Sequence, residues 1–188
     1  DPIDGTVNYI NRTPYYCVCI GLAVKRQAVL GVIYNPTTQE IFSGSTVTKT
    51  STLNGVALSA DCDETNHNNM IFVTEFGSDR TPAKTQVNLD MAKALLELHP
   101  RAIRMGGSAA LNCMTVARGS CHAYVEYGPH PWDVCAAIPI VTQAGGHVIP
   151  ADPDVDAQTD LLTCRGYIIA TTPTLCQTLQ SSIPQFKY

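Results

Sequence analysis

Hydrophobic and polar positions follow two different periods along this chain, and the change from one to the other marks the expected elements. Residues 15–25 are β-branched, aromatic and apolar, and residues 28–34 form a second apolar run. The polar break at Arg26-Gln27 between them predicts an antiparallel hairpin. Asn35-Pro36 turns the chain, and residues 40–42 and 70–74 read as a third and a fourth strand. From Thr81 the period lengthens. Val87, Met91, Leu95 and Leu98 fall on one helical face, with Thr81 as N-cap, Pro82 in the first turn and His99-Pro100 as the stop. A second helix is predicted from Ser108, with Ala110, Cys113, Met114 and Ala117 on one side and Gly119 at its end. After a strand at 123–127, a third helix is expected from Asp133, carrying Val134, Ala137, Ile138 and Val141 and closed by Gly145-Gly146. Pro139 falls inside that stripe and should kink the helix, because it cannot donate to the carbonyl of Cys135. Residues 168–171 read as a last strand and 175–183 as a last helix, while 150–160, with its four Asp and two Pro, is the most linker-like stretch. Strands and helices mix without strict βαβ alternation, which predicts layered α and β elements rather than a plain doubly wound sheet.

Composition narrows the function classes. The 188 residues suffice for one domain, residues 1–188, with a real core. Charged residues make up 15%, against roughly 25% in an average soluble domain. The net charge of −4 gives no basic footprint, so nucleic acid is not an expected partner. No apolar run approaches the roughly 20 residues needed to cross a bilayer, so no membrane partner is expected either. The eight cysteines form no C-x-x-C pair and most lie in apolar segments. They read as small buried hydrophobes in a reducing, cytoplasmic setting. The chain opens at Asp1 without an initiator Met, and we expect a processed or N-terminally truncated chain.

The chemistry concentrates in three short stretches. In Asp1-Pro2-Ile3-Asp4-Gly5-Thr6 two carboxylates are separated by a Pro-stiffened turn, the kind of oxygen donor set that hard divalent cations take. Gly5-Thr6 before a helix start would direct N–H groups at a phosphate. The plain alternative is an Asp-Pro turn followed by ordinary Asp-Gly turn chemistry. Trp132-Asp133 opens the third predicted helix, where Asp133 serves equally as a simple capping carboxylate. Gly106-Gly107-Ser108-Ala109-Ala110 is either a tight turn with a Ser cap or a nest of backbone donors for a phosphate or sugar hydroxyl. Glu126, in Tyr124-Val125-Glu126-Tyr127, reads on its own as a solvent-facing strand residue.

Taken together, these stretches resemble the inositol monophosphatase family. Asp1-Pro2-Ile3-Asp4-Gly5-Thr6-Val7-Asn8-Tyr9 is similar to its first signature. Trp132-Asp133-Val134-Cys135-Ala136-Ala137, running to Gln143-Ala144-Gly145-Gly146, is similar to its second. Thr74-Glu75-Phe76-Gly77-Ser78 and Gly107-Ser108-Ala109-Ala110 resemble the family at the expected order and distance. The resemblance spans essentially the whole chain and is nearest to the animal enzymes. It implies the layered α-β-α-β sandwich of the sugar phosphatase superfamily, and Mg²⁺-dependent hydrolysis of inositol monophosphates without a covalent phospho-enzyme. It also implies Li⁺ sensitivity and a homodimer. Position by position, it implies Asp1, the Ile3 carbonyl, Asp4 and Asp133 as metal ligands. It implies the Gly5 and Thr6 amides against phosphate, and the Thr6 hydroxyl, with Asp4, in water activation. It implies Gly107, Ser108, Ala109, Glu126 and Asp133 around the inositol phosphate.

The sequence also departs from the resemblance. The family carries a long segment before the first signature, with a Glu-Glu pair that serves the metals and the water, and this sequence does not contain it. A protonated amino group on Asp1 should oppose Mg²⁺, so we expect weak metal binding and little turnover from these residues alone. His122 stands where the family usually has Asp, Gln143 where it has Glu, and Pro139 is unusual in the second signature. The rival readings are a bisphosphate nucleotidase or other sugar phosphatase, and a non-catalytic truncated isoform or degenerate homologue acting by dimerisation.

Overall fold

The structure, a computed structural model, describes residues 1–62 and 69–187. The first sheet is an antiparallel meander in chain order: β1 (Val18–Val24), β2 (Gln27–Asn35), β3 (Glu40–Ser45), β4 (Thr50–Leu53) and β5 (Val56–Ala57). The expected β1–β2 hairpin forms, with its turn at Lys25-Arg26, both at positive φ (49° and 65°). Two left-handed residues give the turn the twist that flanking strands require. The sequence pattern did not predict β4 and β5. They are joined by Asn54-Gly55 in the same left-handed geometry (φ 49° and 81°).

The second sheet has the order β7-β6-β8-β10-β9, built from β6 (Ile71–Thr74), β7 (Ala102–Arg104), β8 (Ala123–Tyr127), β9 (His147–Pro150) and β10 (Gly166–Ala170). β6 runs parallel to both β7 and β8, whereas β10 is antiparallel to β8 and β9. Its two faces bury different residues. Val73, Tyr124, Tyr167 and Ile169 point into the core shared with the first sheet. Phe72, Val125, Ile168 and Ala170 point the other way, onto α2 (Pro82–Glu97) and α7 (Pro173–Ser182). This is the period-two alternation of a strand, applied to a sheet covered on both sides.

Between the sheets lie α3 (Ala109–Ala117) and α5 (Ala137–Gln143). The layers thus run helix, sheet, helix, sheet, as the resemblance implied. α2 starts as predicted, with the Thr81 hydroxyl accepting from the Lys84 amide, and buries Val87, Met91 and Leu95. The third predicted helix is two helices, α4 (Pro131–Val134) and α5. It begins at Pro131, whose fixed φ and missing N–H suit a first turn, rather than at Asp133. The break at Cys135-Ala136 lies one turn before Pro139, where the Cys135 carbonyl loses its helical donor. The acidic stretch after β9 carries a short α6 (Ala157–Asp160). A further short helix, α1 (Thr6–Ile10), follows the first acidic motif.

One packing detail positions the site. Gly21, Gly31 and Gly44 face one another across β1, β2 and β3. A Cβ on Gly31 would lie 1.9 Å from the Ala136 carbonyl oxygen, and one on Gly44 would lie 2.5 Å from the Ala136-side helix at Ile140 Cα. The row of missing side chains lets the backbone joining α4 to α5 rest directly on the sheet. On the opposite face of β1, Ile20, Leu22 and Val24 are exposed. Among the described residues, no helix is long and apolar enough to cross a membrane.

Candidate active site

The first acidic motif is not a loose turn. Asp4 and Cys17 pair as an antiparallel bridge, Asp4 N donating to the Cys17 carbonyl (2.9 Å) and Cys17 N to the Asp4 carbonyl (3.0 Å). Cys19 N donates to the Asp1 carbonyl (2.8 Å). Residues 1–4 therefore run as an extended strip beside the start of β1, fixing where both carboxylates emerge. Asp133 arrives on the first turn of α4, whose C-terminal end the glycine row holds against the sheet.

The result is convergence. Asp1, Asp4 and Asp133 each offer a carboxylate oxygen, and these atoms lie within 4.8 Å of one another. Each carboxylate is anchored by the chain. Asp1 Oδ1 accepts from Ile3 N (2.9 Å), and Asp133 Oδ2 accepts from His130 N (2.7 Å). Asp4 Oδ2 accepts from Ser108 Oγ (2.5 Å) and Ala110 N (2.8 Å). Burial pushes Asp4 above the usual carboxylate range, against the pull of Ser108 and Ala110, and pushes Asp133 up as well. Three hard oxygen donors whose charges are costly side by side fit a divalent cation of the Mg²⁺ class.

Asp4 and Asp133 open onto a cleft of about 690 Å³, lined also by Gly5, Thr6, Gly107, Ala109 and Glu126 among others. It lies where β6, β7 and β8 end, the place where parallel strands in open sheets present their ligand sites. The Thr6 hydroxyl donates to the Ile3 carbonyl (3.0 Å). Gly107 and Ala109 face the cleft, whereas Ser108 is buried beneath it, capping α3 and holding Asp4. Glu126, which the sequence alone placed in solvent, is buried and accepts a hydrogen bond from the Tyr124 hydroxyl. Burial dominates its titration and lifts it to about 8, with the Tyr124 bond opposing.

Three further residues shape the cleft without having been singled out from the sequence. Glu75 Oε1 accepts from Gly106 N and Gly107 N (both 2.6 Å) and from Asn112 Nδ2 (2.9 Å), pinning the glycine loop. The available signal was its place in Thr74-Glu75-Phe76-Gly77-Ser78, the stretch that resembles the family. Lys84, on α2, is buried and donates to the Tyr127 carbonyl (2.5 Å). Arg165 donates to the Gly128 carbonyl (2.8 Å) and meets His130 Nε2 at 3.3 Å, while the His130 ring stacks on Trp132. Neither cation sits in a pattern that sequence reading detects.

A model of the inositol monophosphatase family matches residues 1–184. Inositol monophosphatase 1 of Xenopus laevis is 40% identical over 167 residues, covering 88% of this chain and 56% of that protein. Inositol monophosphatase 2 of Homo sapiens is 32% identical over 188 residues, covering 100% of this chain and 63% of that protein. The chain thus spans about three-fifths of the length of these curated relatives. The solved structure of inositol monophosphatase from Anabaena (Nostoc) sp. PCC 7120 superposes with a TM-score of 0.83 at 30% identity, covering 98% of this chain and 71% of that one. Two signatures in register, a shared layered fold and sequence identity along the whole chain lead to one conclusion: this chain belongs to the inositol monophosphatase family.

Proposed function

We propose that this chain carries the metal-binding and polyol-binding parts of a Mg²⁺-dependent phosphatase acting on inositol monophosphates. The supporting observation is the meeting of carboxylate oxygens of Asp1, Asp4 and Asp133 within 4.8 Å, with Asp4 and Asp133 lining the cleft. Bound at those carboxylates, divalent cations supply charge neutralisation for the phosphoryl oxygens and acidify water at neutral pH. The chain's own residues orient the reaction. Because the Thr6 hydroxyl gives its proton to the Ile3 carbonyl, its oxygen is left as an acceptor for a water's hydrogen. The start of α1 at Gly5-Thr6 lines the wall beside the carboxylates, a place suited to an anion. At the far end, Glu126 takes the ester's polyol. A buried carboxyl with a raised pKa pairs better with hydroxyl groups than with a second phosphate, which favours an inositol monophosphate over a nucleoside bisphosphate.

The test is phosphate release from inositol 1-phosphate and from 3′-phosphoadenosine 5′-phosphate, with Mg²⁺ and with chelator. The reading expects release that is small from these residues alone, depends on Mg²⁺, and is much greater from the inositol ester than from the nucleotide. Release that persists in chelator, or that survives Asp133→Asn unchanged, removes the proposed centre.

A further inference from the structure

Beneath the three aspartates lies a second cluster, which joins Asp4 to two thiols that the proposed hydrolysis does not use. Cys17 and Cys19 sit two residues apart at the head of β1, so both thiols point to the same face. The cross-strand bridge puts Asp4 opposite Cys17, on that face too. Cys17 Sγ lies 3.7 Å from Cys19 Sγ, 3.7 Å from Ser108 Oγ and 3.9 Å from Asp4 Oδ2. One ligand atom from each of Asp4, Cys17 and Cys19 falls within 4.8 Å of the others. All three residues are buried, and Asp4 also borders the cleft.

This spacing can be compared with what a metal requires. Two sulfurs bound to one tetrahedral Zn²⁺ at about 2.3 Å each stand about 3.8 Å apart. The two thiols are already at that separation. Two cysteines in van der Waals contact stand at much the same separation, so what points to a metal is the third donor, Asp4, gathered with both thiols in one cluster. Soft thiolates select Zn²⁺ or Cd²⁺ over Mg²⁺, whereas the three-carboxylate centre has the opposite preference.

We propose that Cys17, Cys19 and Asp4 form a second, thiophilic metal site that captures a single Zn²⁺ or Cd²⁺ ion and competes with the oxygen-ligated centre for Asp4. Binding exchanges two S–H bonds for two metal–sulfur bonds and releases two protons to solvent, with no change in oxidation state. The cleft supplies the entry path, through Asp4, and a water for the remaining position. The inhibitory consequence rests on the phosphatase reading above. The binding does not.

The experiment titrates the reduced, metal-free protein with Cd²⁺ and follows the near-ultraviolet sulfur-to-metal charge-transfer band, in a Cys62→Ser, Cys164→Ser background that removes two less buried thiols. One saturable equivalent is expected. Cys17→Ala and Cys19→Ala should each weaken it by about tenfold or more, and Cys113→Ser, a core thiol outside the cluster, should leave it unchanged. The same saturable band in the Cys17→Ala, Cys19→Ala double variant overturns the site. Should those variants fold poorly, Zn X-ray absorption on the unaltered protein decides. Two sulfur neighbours plus oxygen uphold the site, and an all-oxygen shell overturns it. A separate arm measures phosphate release with inositol 1-phosphate. Inhibition by one equivalent of Cd²⁺ that is lost with Cys17→Ala supports the sharing of Asp4, and a full band without inhibition overturns that sharing. Release that does not depend on Mg²⁺, with the band intact, marks failure of the phosphatase reading alone.

Discussion

The two ends of the cleft are built on different principles. At the acidic end, charge is gathered and each carboxylate accepts a backbone N–H, Asp1 from Ile3, Asp4 from Ala110 and Asp133 from His130, with the Ser108 hydroxyl added on Asp4. At the other end, Glu126 projects from a strand buried on both faces and is held by one side chain, Tyr124. The first arrangement suits ions, because rigid carboxylates fix a coordination geometry before any ligand arrives. The second suits a neutral, hydroxyl-bearing group, because burial favours a carboxyl that can keep its proton. A phosphate monoester of a polyol presents both kinds of surface at once.

The sharpest way to break this contrast is to remove one charge at the acidic end while keeping its shape. Asp133→Asn retains an oxygen for the His130 amide. It should lower Mg²⁺-dependent phosphate release by about a thousandfold, on the scale of losing one well-placed electrostatic contact. Because burial already disfavours the Asp133 charge, the melting temperature in metal-free buffer should stay level or rise. A large loss of stability alongside the lost activity would mean that Asp133 is a structural cap first.

At the other end the contrast predicts a pH effect. Glu126 titrates near 4.5 when unfolded and at about 8 in the fold. The native state therefore binds the proton more tightly. The stability contributed is complete below the unfolded value and falls as pH rises through about 8. The loss should amount to roughly 4–5 kcal/mol across that window. Calorimetric melts from pH 4.5 to 9 in saturating Mg²⁺, which keeps the aspartates ionised, should show this decline in the parent protein and a flatter profile in Glu126→Gln. Parallel profiles would sink the assignment.

The two ends also differ in what lies beneath them, and Gly31 tests this. Ala at Gly31 must displace the Ala136 carbonyl, which would lie 1.9 Å from the new carbon. We expect a loss of about 3 kcal/mol, seen as a melting temperature lower by some 6–12 °C, and weakened Mg²⁺ binding as α4 shifts. Gly55→Ala meets open space and carries only the strain of its positive φ, so about 1 kcal/mol is expected there. Equal effects at the two positions would remove the glycine row as the support of Asp133.

How much of this was readable beforehand follows the same division. The acidic motif and the second signature lie in contiguous residues, so they could be recognised without knowing the fold. α2 was legible because Thr81, Pro82 and the Val87, Met91, Leu95 stripe agree. β8 was legible as a strand, but its alternation was hidden, since a strand buried on both faces shows no polar side. That is why Glu126 was placed in solvent. β4 was missed because Ser and Thr fill most of it, and β5 because it is only Val56-Ala57, although Asn54-Gly55 is a strong hairpin turn. β7 and β9 are short edge strands defined by their single partners, β6 and β10. Glu75 and Lys84 meet their partners only once α2 and the glycine loop have packed.

Lys84 offers the smallest effect and the finest test of the far end. Its ammonium donates to the Tyr127 carbonyl and lies 5.5 Å and 5.6 Å from the Tyr127 and Phe186 ring centroids. Burial lowers its own pKa, while the Glu126 charge pulls the other way. The same interaction holds Glu126 somewhat below where burial alone would put it. Lys84→Met keeps the apolar stem and its packing but removes the charge and the hydrogen bond to the Tyr127 carbonyl, so stability near pH 6 should fall by about 1–2 kcal/mol. The decline of stability with pH should then extend to higher pH, because Glu126 has lost a cation that favoured its ionised form. The calorimetric series used for Glu126→Gln reads this directly. A midpoint that stays put would mean that Lys84 acts on the Tyr127 carbonyl and the two rings, and leaves the carboxyl to Tyr124.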